Sequence, residues 1–347
     1  MLEDLLRAWD GEEVAVRFDA RSGAWMFVCV HSTVLGPAAG GTRMKVYAEP
    51  HDALHDGVRL SRAMTNKNAV AGLPLGGGKA VLAVPEIPQG EARRELFLRY
   101  AGLIDALGGT YVTACDMNVS ERDMDVVGER TRHVMGRSVE GGGAGSSAPS
   151  TAVGVFHGLR ASAERAFGSG DLADRTVLIQ GVGAVGRVLA GLLAEAGARL
   201  ILADVEEDRA REVAAELNAR MVAADEAIST ECDVFSPCAT GGVLSAETIP
   251  RLRCRVVGGA ANNQLVALQD ARLLEDAGIL YAPDYVINAG GIICLASQEL
   301  LGESREQLDA RLRGIGDTLA EVYATAEREG VTTAEAAERL VAERLAR

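Results

Sequence analysis

Aromatic residues are scarce in this chain of 347 residues, at 4% of positions. That scarcity, beside abundant alanine and 40 glycines, suits close-packed layers of helix on sheet rather than an aromatic-rich β-sandwich. Basic residues are in deficit, 35 Lys and Arg against 49 Asp and Glu, for a formal net charge of −14. Such a balance disfavours long-range attraction to nucleic acid or to an anionic membrane, and leaves room for a local basic pocket. Charges break every apolar run well short of the ~18 residues that a membrane span needs. The opening MLEDLLRAWDGEEV carries acids and lacks the basic start and apolar core of a signal peptide, so a cytoplasmic location is expected. Cysteine pairing motifs are absent too. Cys29, Cys115, Cys232, Cys238, Cys254 and Cys294 form no C-x-x-C, which speaks against a zinc ribbon or a disulfide scaffold and for free, mostly buried thiols. His51 and His55 have the i, i+4 spacing of a helical metal pair, but no third ligand is near in sequence. They read as a solvated helix face, and no metal is expected.

What is present is an ordinary apolar fraction, 48%, on a length that suggests about two domains. In the first third, Trp25–Val34 reads as a buried strand and Glu49–Met64 as a helix. Ala69–Val84 reads as a glycine loop entering a strand. Arg93–Leu107 is an amphipathic helix stopped by Gly108-Gly109, and Tyr111–Ala114 a short strand. The segment GRSVEGGGAGSSAPS at 136–150 is a loop or hinge by composition, with 140–147 as its candidate mobile part. A helix follows from Thr151 to about Phe167. Strand-like pieces then recur at Val177–Gln180, Leu200–Asp204, Asp233–Phe235, Val256–Gly258 and Ile279–Tyr281, with a helix at Val185–Ala196 and others between. Alternation of this kind implies parallel β-α units in a layered α/β sheet. The tail from Leu308 is charged and helical.

Two segments carry chemistry. Gln180 precedes Gly181-Val182-Gly183-Ala184-Val185-Gly186, a G-x-G-x-x-G set between a strand and a helix. Gly181 permits the tight turn, Gly183 a close approach of backbone to pyrophosphate, and Gly186 close packing of helix on strand. The helix N-terminus offers free N–H groups to phosphate. Asp204, ending the next strand, is placed to accept the ribose hydroxyls, and its charge would repel a 2′-phosphate; NAD is therefore the expected cofactor. The second segment runs from Met64 to Lys79, MTNKNAVAGLPLGGGK. It fails the P-loop pattern, since Leu73 and Ala80 stand where glycine and serine or threonine are required. Two lysines remain, Lys67 and Lys79, flanking a glycine loop among apolar residues. In a partly desolvated site each would lower the other's pKa, so that one could bind a carboxylate and the other serve as base.

GGTRM at Gly40–Met44, the Lys67–Lys79 segment, Asp116, Ala261-Asn262-Asn263 and Asn288-Ala289-Gly290-Gly291 together resemble the glutamate/leucine/phenylalanine/valine dehydrogenase family over nearly the whole chain. GGGAGSSAPSTAVGV, DVFSPCATGGV and YAPDYVINAGG look most like phenylalanine dehydrogenases within it.

The resemblance implies oxidation of an L-amino acid with NAD to an imino acid, which water converts to the 2-oxo acid and ammonia. It makes Lys67 the binder of the α-carboxylate, Lys79 the activator of water, and Asp116 the carboxylate that exchanges protons with the amino group. Gly41, Met64 and Asn262 line the substrate. Thr151, Ala239, Asn262 and Asn288 join the glycine segment and Asp204 around the cofactor. The side-chain pocket comprises Ala39, Ala114, Ile292 and Leu295. Ala39 enlarges that pocket, whereas Ala114 and Ile292 narrow it, and a methylene there is worth only ~1–3 kcal/mol. No cation stands among these positions, which disfavours glutamate. Cys115, Cys294 and Ser297 are further departures that bear on substrate preference. L-Phenylalanine is the expected substrate. A branched-chain substrate with the same mechanism is the alternative, followed by an inactive NAD- and amino-acid-binding sensor. The implied architecture has a substrate domain at 1–130, a Rossmann domain at 131–324 and a C-terminal helix at 325–347 returning to the first. The active site is expected in the cleft between the domains, and the assembly to be a homo-oligomer.

Overall fold

The computed structural model describes residues 2–346. Its elements run α1 (Leu2–Trp9), β1 (Glu13–Asp19), β2 (Ala24–Ser32), β3 (Ala38–Lys45), α2 (Pro50–Val70), β4 (Gly76–Ala83), α3 (Gly90–Ala106), β5 (Tyr111–Cys115) and α4 (Glu121–Gly128). They continue α5 (Ala148–Phe167), β6 (Thr176–Gln180), α6 (Ala184–Glu195), β7 (Arg199–Ala203), α7 (Glu207–Leu217), β8 (Arg220–Met221), β9 (Val234–Pro237) and β10 (Val256–Val257). The last are α8 (Asp270–Asp276), β11 (Leu280–Tyr281), α9 (Asp284–Ile287), α10 (Gly290–Leu295), α11 (Arg305–Glu329) and α12 (Thr333–Leu345). Contacts divide these into two compact units. One holds the chain through Ser146 together with Cys294–Ser304 and the last residues from Arg344. The other holds Ser147–Ile293 and Arg305–Glu343. The division thus falls at Ser146/Ser147 rather than at 130/131, and most of α11 and α12 groups with the second unit. No helix among the described residues is long and apolar enough to cross a membrane.

The first unit is a five-stranded sheet ordered β1-β2-β4-β3-β5, antiparallel from β1 through β4 and parallel from β4 through β5. Strand alternation builds a core on each face. Met26, Val28, Val30, Met44 and Leu82 pack with Leu96, Phe97, Tyr100 and Ile104 of α3 and with Met124 of α4. Phe27, Cys29 and Val81 pack on the other face with Trp9 of α1 and with Ala53, Leu54 and Val58 of α2. Helix α2 opens with Pro50 behind a Glu49/Asp52 capping box and runs past the expected end at Met64 to Val70.

The expected glycine loop is instead strand. Gly76, Gly77 and Gly78 lie in β4, every residue of which is buried. A side chain at Gly77 would collide with the backbone nitrogen of Thr65, and one at Gly76 with the Ser32 carbonyl. Glycine is required there by the close approach of α2 and β2 to β4, not by a turn. Asn68 fastens the same seam, its Nδ2 donating to the Gly76 carbonyl at 2.5 Å.

In the second unit six parallel strands are ordered β8-β7-β6-β9-β10-β11. This is the doubly wound dinucleotide-binding order, with its switch point between β6 and β9. Of the six cysteines, Cys29, Cys232 and Cys294 are buried and the other three half-buried, all as free thiols. Gly77→Ala should lower the thermal midpoint of the protein by several degrees, as overpacking of about 1–3 kcal/mol would. Circular dichroism melting of parent and variant checks this.

Candidate active site

Lys79 lies in the middle of β4, and its side chain is only 6% exposed. Asp116 follows β5, two strands away in the sheet, with β3 between them. The two side chains meet across β3, with Lys79 Nζ 2.7 Å from Asp116 Oδ2. The crossing is possible because β3 is bare at that point. A Cβ on Gly41 would lie 2.8 Å from Asp116 Cβ, and one on Gly40 would strike the Gly78 carbonyl. Burial lowers the pKa of Lys79; Asp116 opposes this, and Arg43 adds to it. The second cation acting on Lys79 is thus Arg43 of β3, a residue to which the sequence reading gave no role. Burial alone would raise Asp116, but Lys79 and then Arg43 hold its carboxyl below the usual range. Lys79 and Arg43 both act on the same carboxylate oxygen of Asp116, Oδ2.

The other positions expected around the substrate fall on the same unit, with two exceptions. Lys67 is half-buried on the last turn of α2, two residues beyond Thr65, which packs on Gly77. Met64 reaches over Gly40, with its Cγ 3.2 Å from the place a Cβ would take. Ala39 and Ala114 are fully or nearly fully buried on β3 and β5. Leu295 is buried as well, with its Cδ1 3.5 Å from the Cβ position of Gly136, which also faces the Cys115 sulfur. Ile292 and Asn262 belong to the second unit. The glycine-rich stretch after Gly136 is a hydrogen-bonded loop. Glu299 accepts from Gly136 N at 2.8 Å and Ala144 N at 3.1 Å, while Arg137 accepts Gly145 N at its carbonyl.

In the second unit the three glycines fill three different needs. Gly181 has φ +98°, and a Cβ there would sit 2.8 Å from the Ala239 nitrogen, at the switch point between β6 and β9. A Cβ on Gly186 would strike the Gly181 carbonyl, whereas one on Gly183 would meet nothing within 4 Å. Open space beside Gly183, at the N-terminus of the 12-residue α6 that begins at Ala184 and Val185, suits a pyrophosphate. Asn288 Nδ2 donates to Asn262 Oδ1 at 2.9 Å, and Asn288 Oδ1 is a buried acceptor with no protein partner. Gly290 and Gly291 press on the first turn of α5, where Thr151 Oγ1 donates to the Ser147 carbonyl at 3.0 Å. These residues fit a dinucleotide.

Models of the family match both parts of the chain. The description "Glu/Leu/Phe/Val dehydrogenase, dimerisation domain" covers residues 13–133, and "Glutamate/Leucine/Phenylalanine/Valine dehydrogenase" covers 201–347. The chain belongs to the glutamate/leucine/phenylalanine/valine dehydrogenase family. It is 42% identical to a leucine dehydrogenase of Thermoactinomyces intermedius over 99% of this chain and 93% of that one. Its identity to a valine dehydrogenase of Streptomyces albus is 44%, over 96% and 92%. An L-tryptophan dehydrogenase structure from Nostoc punctiforme superposes with a TM-score of 0.86 at 36% identity, covering 99% of this chain and 98% of that one. As a member of this family the chain is an NAD-dependent dehydrogenase of apolar amino acids.

Asp204 departs from the simple expectation of a bare ribose-binding charge. Its Oδ2 accepts Val182 N at 2.8 Å, and its Oδ1 accepts Glu206 N and Arg209 Nη2, each at 2.9 Å. Arg209 partly cancels the charge that would turn away a 2′-phosphate. Arg209→Ala should therefore sharpen the preference for NAD, lowering NADP-linked kcat/KM about tenfold relative to NAD-linked. Parallel assays with the two cofactors test this.

Proposed function

We propose that this dehydrogenase catalyses reversible oxidative deamination of a branched-chain L-amino acid, leucine or valine, to its 2-oxo acid and ammonia. The observation that carries the reaction is the contact at 2.7 Å between buried Lys79 and half-buried Asp116. The substrate reading rests on the two near-full-length relatives named leucine and valine dehydrogenases. It replaces L-phenylalanine, the expectation drawn from the likeness of GGGAGSSAPSTAVGV, DVFSPCATGGV and YAPDYVINAGG to phenylalanine dehydrogenases and from Ala39, against opposed changes at Ala114 and Ile292. A bulkier aromatic substrate is the second reading, favoured by the tryptophan dehydrogenase neighbour and by the small Ala39.

In this reading Lys67 holds the α-carboxylate while Met64 and Gly41 border the substrate. Ala39, Ala114, Ile292 and Leu295 wall its side chain. Asp116 takes a proton from the substrate ammonium, leaving the neutral amine from which a hydride can depart. Glycines 181, 183 and 186, with Ala184, Val185, Asp204, Thr151, Ala239, Asn262 and Asn288, would hold NAD. When bound, the nicotinamide ring supplies the acceptor for the hydride leaving Cα. Lys79, whose pKa burial lowers, acts as its free amine and takes the proton of the water that attacks the imino carbon. The ammonium so formed then lies beside the carbinolamine oxygen and stabilises its charge. Asp116 returns its proton to the amino group; the C–N bond of the carbinolamine then breaks as the carbonyl forms, and the hydroxyl proton leaves with the ammonia as ammonium.

NADH formation at alkaline pH across L-Leu, L-Val, L-Ile, L-Phe, L-Trp and L-Glu tests the reading. The expected order has L-Leu or L-Val first and L-Glu last. Lys79→Met should cost about 10²–10⁴-fold in kcat with NAD binding retained. Turnover led by an aromatic substrate would overturn the branched-chain preference, and undiminished turnover by the lysine variant would overturn the mechanism.

We also propose a homo-oligomer built on the sheet edge. Strand β1 lies at that edge, and Val16 and Phe18 are each 50% exposed beside Trp25, with the Phe18 and Trp25 rings 4.9 Å apart. An open edge carrying an apolar face is a pairing surface. Phe18→Glu should shift the protein to a smaller species in size-exclusion chromatography with light scattering; an unchanged mass would place the interface elsewhere.

A further inference from the structure

Asp116 receives two cations on one oxygen. Lys79 Nζ approaches Oδ2 at 2.7 Å and Arg43 Nε at 3.1 Å. The far side of the same guanidinium is also engaged, with Arg43 Nη1 2.9 Å from Asp56 Oδ2. Asp56 is in turn fixed by the Tyr47 hydroxyl at 2.8 Å and by Arg59 Nη2 at 2.8 Å. Arg43 is thus a bridge between a carboxylate of the site and a carboxylate of α2, with its side chain 17% exposed. The planar fork presents donors on opposite sides in a fixed geometry, which suits it to span two carboxylates placed apart.

We propose that Arg43 is a positioning residue for the reaction, sharing Asp116 with Lys79 so that the carboxylate stays aimed and ionised while Lys79 is left free to give up its proton. The inference rests on the roles given above to Lys79 and Asp116. Were Lys79 the only cation on Asp116, the pair would close into a simple ion bridge that holds the lysine protonated. Arg43 cannot lose its proton, so it takes part of the charge of Asp116 permanently and adds a positive charge near Lys79. Groups facing Lys79 from the neighbouring elements agree with this balance. Asp116 after β5 favours its ammonium, as does Asp56 on α2, but Asp56 is already claimed by Arg43, Arg59 and Tyr47. Cys29, its partner across β2, is a thiol that burial pushes up to about 12 and so carries no charge. Burial lifts Cys115, beside Asp116, to about 11.

The test is the pH dependence of kcat/KM for the amino acid that the parent enzyme turns over best, measured in the parent, Arg43→Gln and Arg43→Lys. In Arg43→Gln the rising limb should move to higher pH by about one unit, leaving activity near neutrality about tenfold down and recovering in alkali. Added guanidinium ion should restore part of the neutral activity. Arg43→Lys keeps the charge without the bridge, so its limb should move the same way by less. A limb that stays in place in both variants, with activity lost evenly at every pH or not lost at all, overturns the inference. If Arg43→Gln fails to fold by circular dichroism, the limb of Arg43→Lys decides alone. An inactive parent, or an active Lys79→Met, removes the functional reading and this inference with it. An active parent, a dead Lys79→Met and an unmoved limb remove this inference only.

Discussion

A buried ammonium must find a counter-charge, and in this protein that need organises the site. Lys79 is held in the interior of β4, where an unpaired charge would be expensive. The charge that answers it comes from Asp116, beyond β5, with a whole strand between. Adjacent strands are about 4.7–4.9 Å apart, so the lysine must reach over β3 to meet it. That requirement explains the Gly40-Gly41 pair, because any side chain on Gly41 would stand where Asp116 does. It also explains why the next charged residue of β3 is an arginine, whose fork reaches Asp116 from the side and ties it to Asp56 on α2. The reacting groups therefore depend on backbone placement in three strands and a helix rather than on a flexible loop.

Bare backbone serves the second unit by the same logic. Gly181 and Gly186 remove side chains where strand, turn and helix touch, and Gly183 removes one where nothing touches. The first two let the elements close up, and the third leaves a gap at the N-terminus of α6. That gap opens where strand order reverses between β6 and β9, the place where parallel sheets receive ligands. Both sites are spaces left by missing Cβ atoms inside well-packed layers.

Local patterns in the sequence were enough for the second unit. A strand, a G-x-G-x-x-G and a helix occupy one continuous stretch, and Asp204 ends the next strand, so the parallel β-α architecture and the dinucleotide segment were both readable. Lys79 and Asp116, which the structure brings into contact, both lay within motifs that the sequence singled out. Gly76–Gly78 was misread because a glycine run looks like a loop unless the helix lying against it is known; the reason for it is Thr65, which sits twelve residues away in sequence and in contact in space. Arg43 with Asp116, and Arg209 with Asp204, were invisible for a related reason. Ion pairs are made by tertiary approach, and no spacing rule links a strand residue to a carboxylate on another strand. Arg43 did lie inside the GGTRM stretch that carried the family resemblance, which was the one signal available for it.

The reaction is more firmly written than the substrate because the two depend on interactions of different size. Proton transfer and charge stabilisation are each worth orders of magnitude in rate, and in the proposed mechanism they rest on Lys79 and Asp116, with Arg43 beside them. In the proposed site, discrimination among apolar side chains would rest on methyl-sized differences at Ala39, Ala114, Ile292 and Leu295, at about 1–3 kcal/mol per methylene, and these differences oppose one another. The walls can change without disturbing the charges, since none of the four wall residues is ionisable or shares a hydrogen bond with the lysine–aspartate pair. A fold that separates the two sets in this way can keep one chemistry while its substrate moves between branched-chain and aromatic amino acids. Motifs built on the charges identify the family, and only the packing of the wall identifies the substrate.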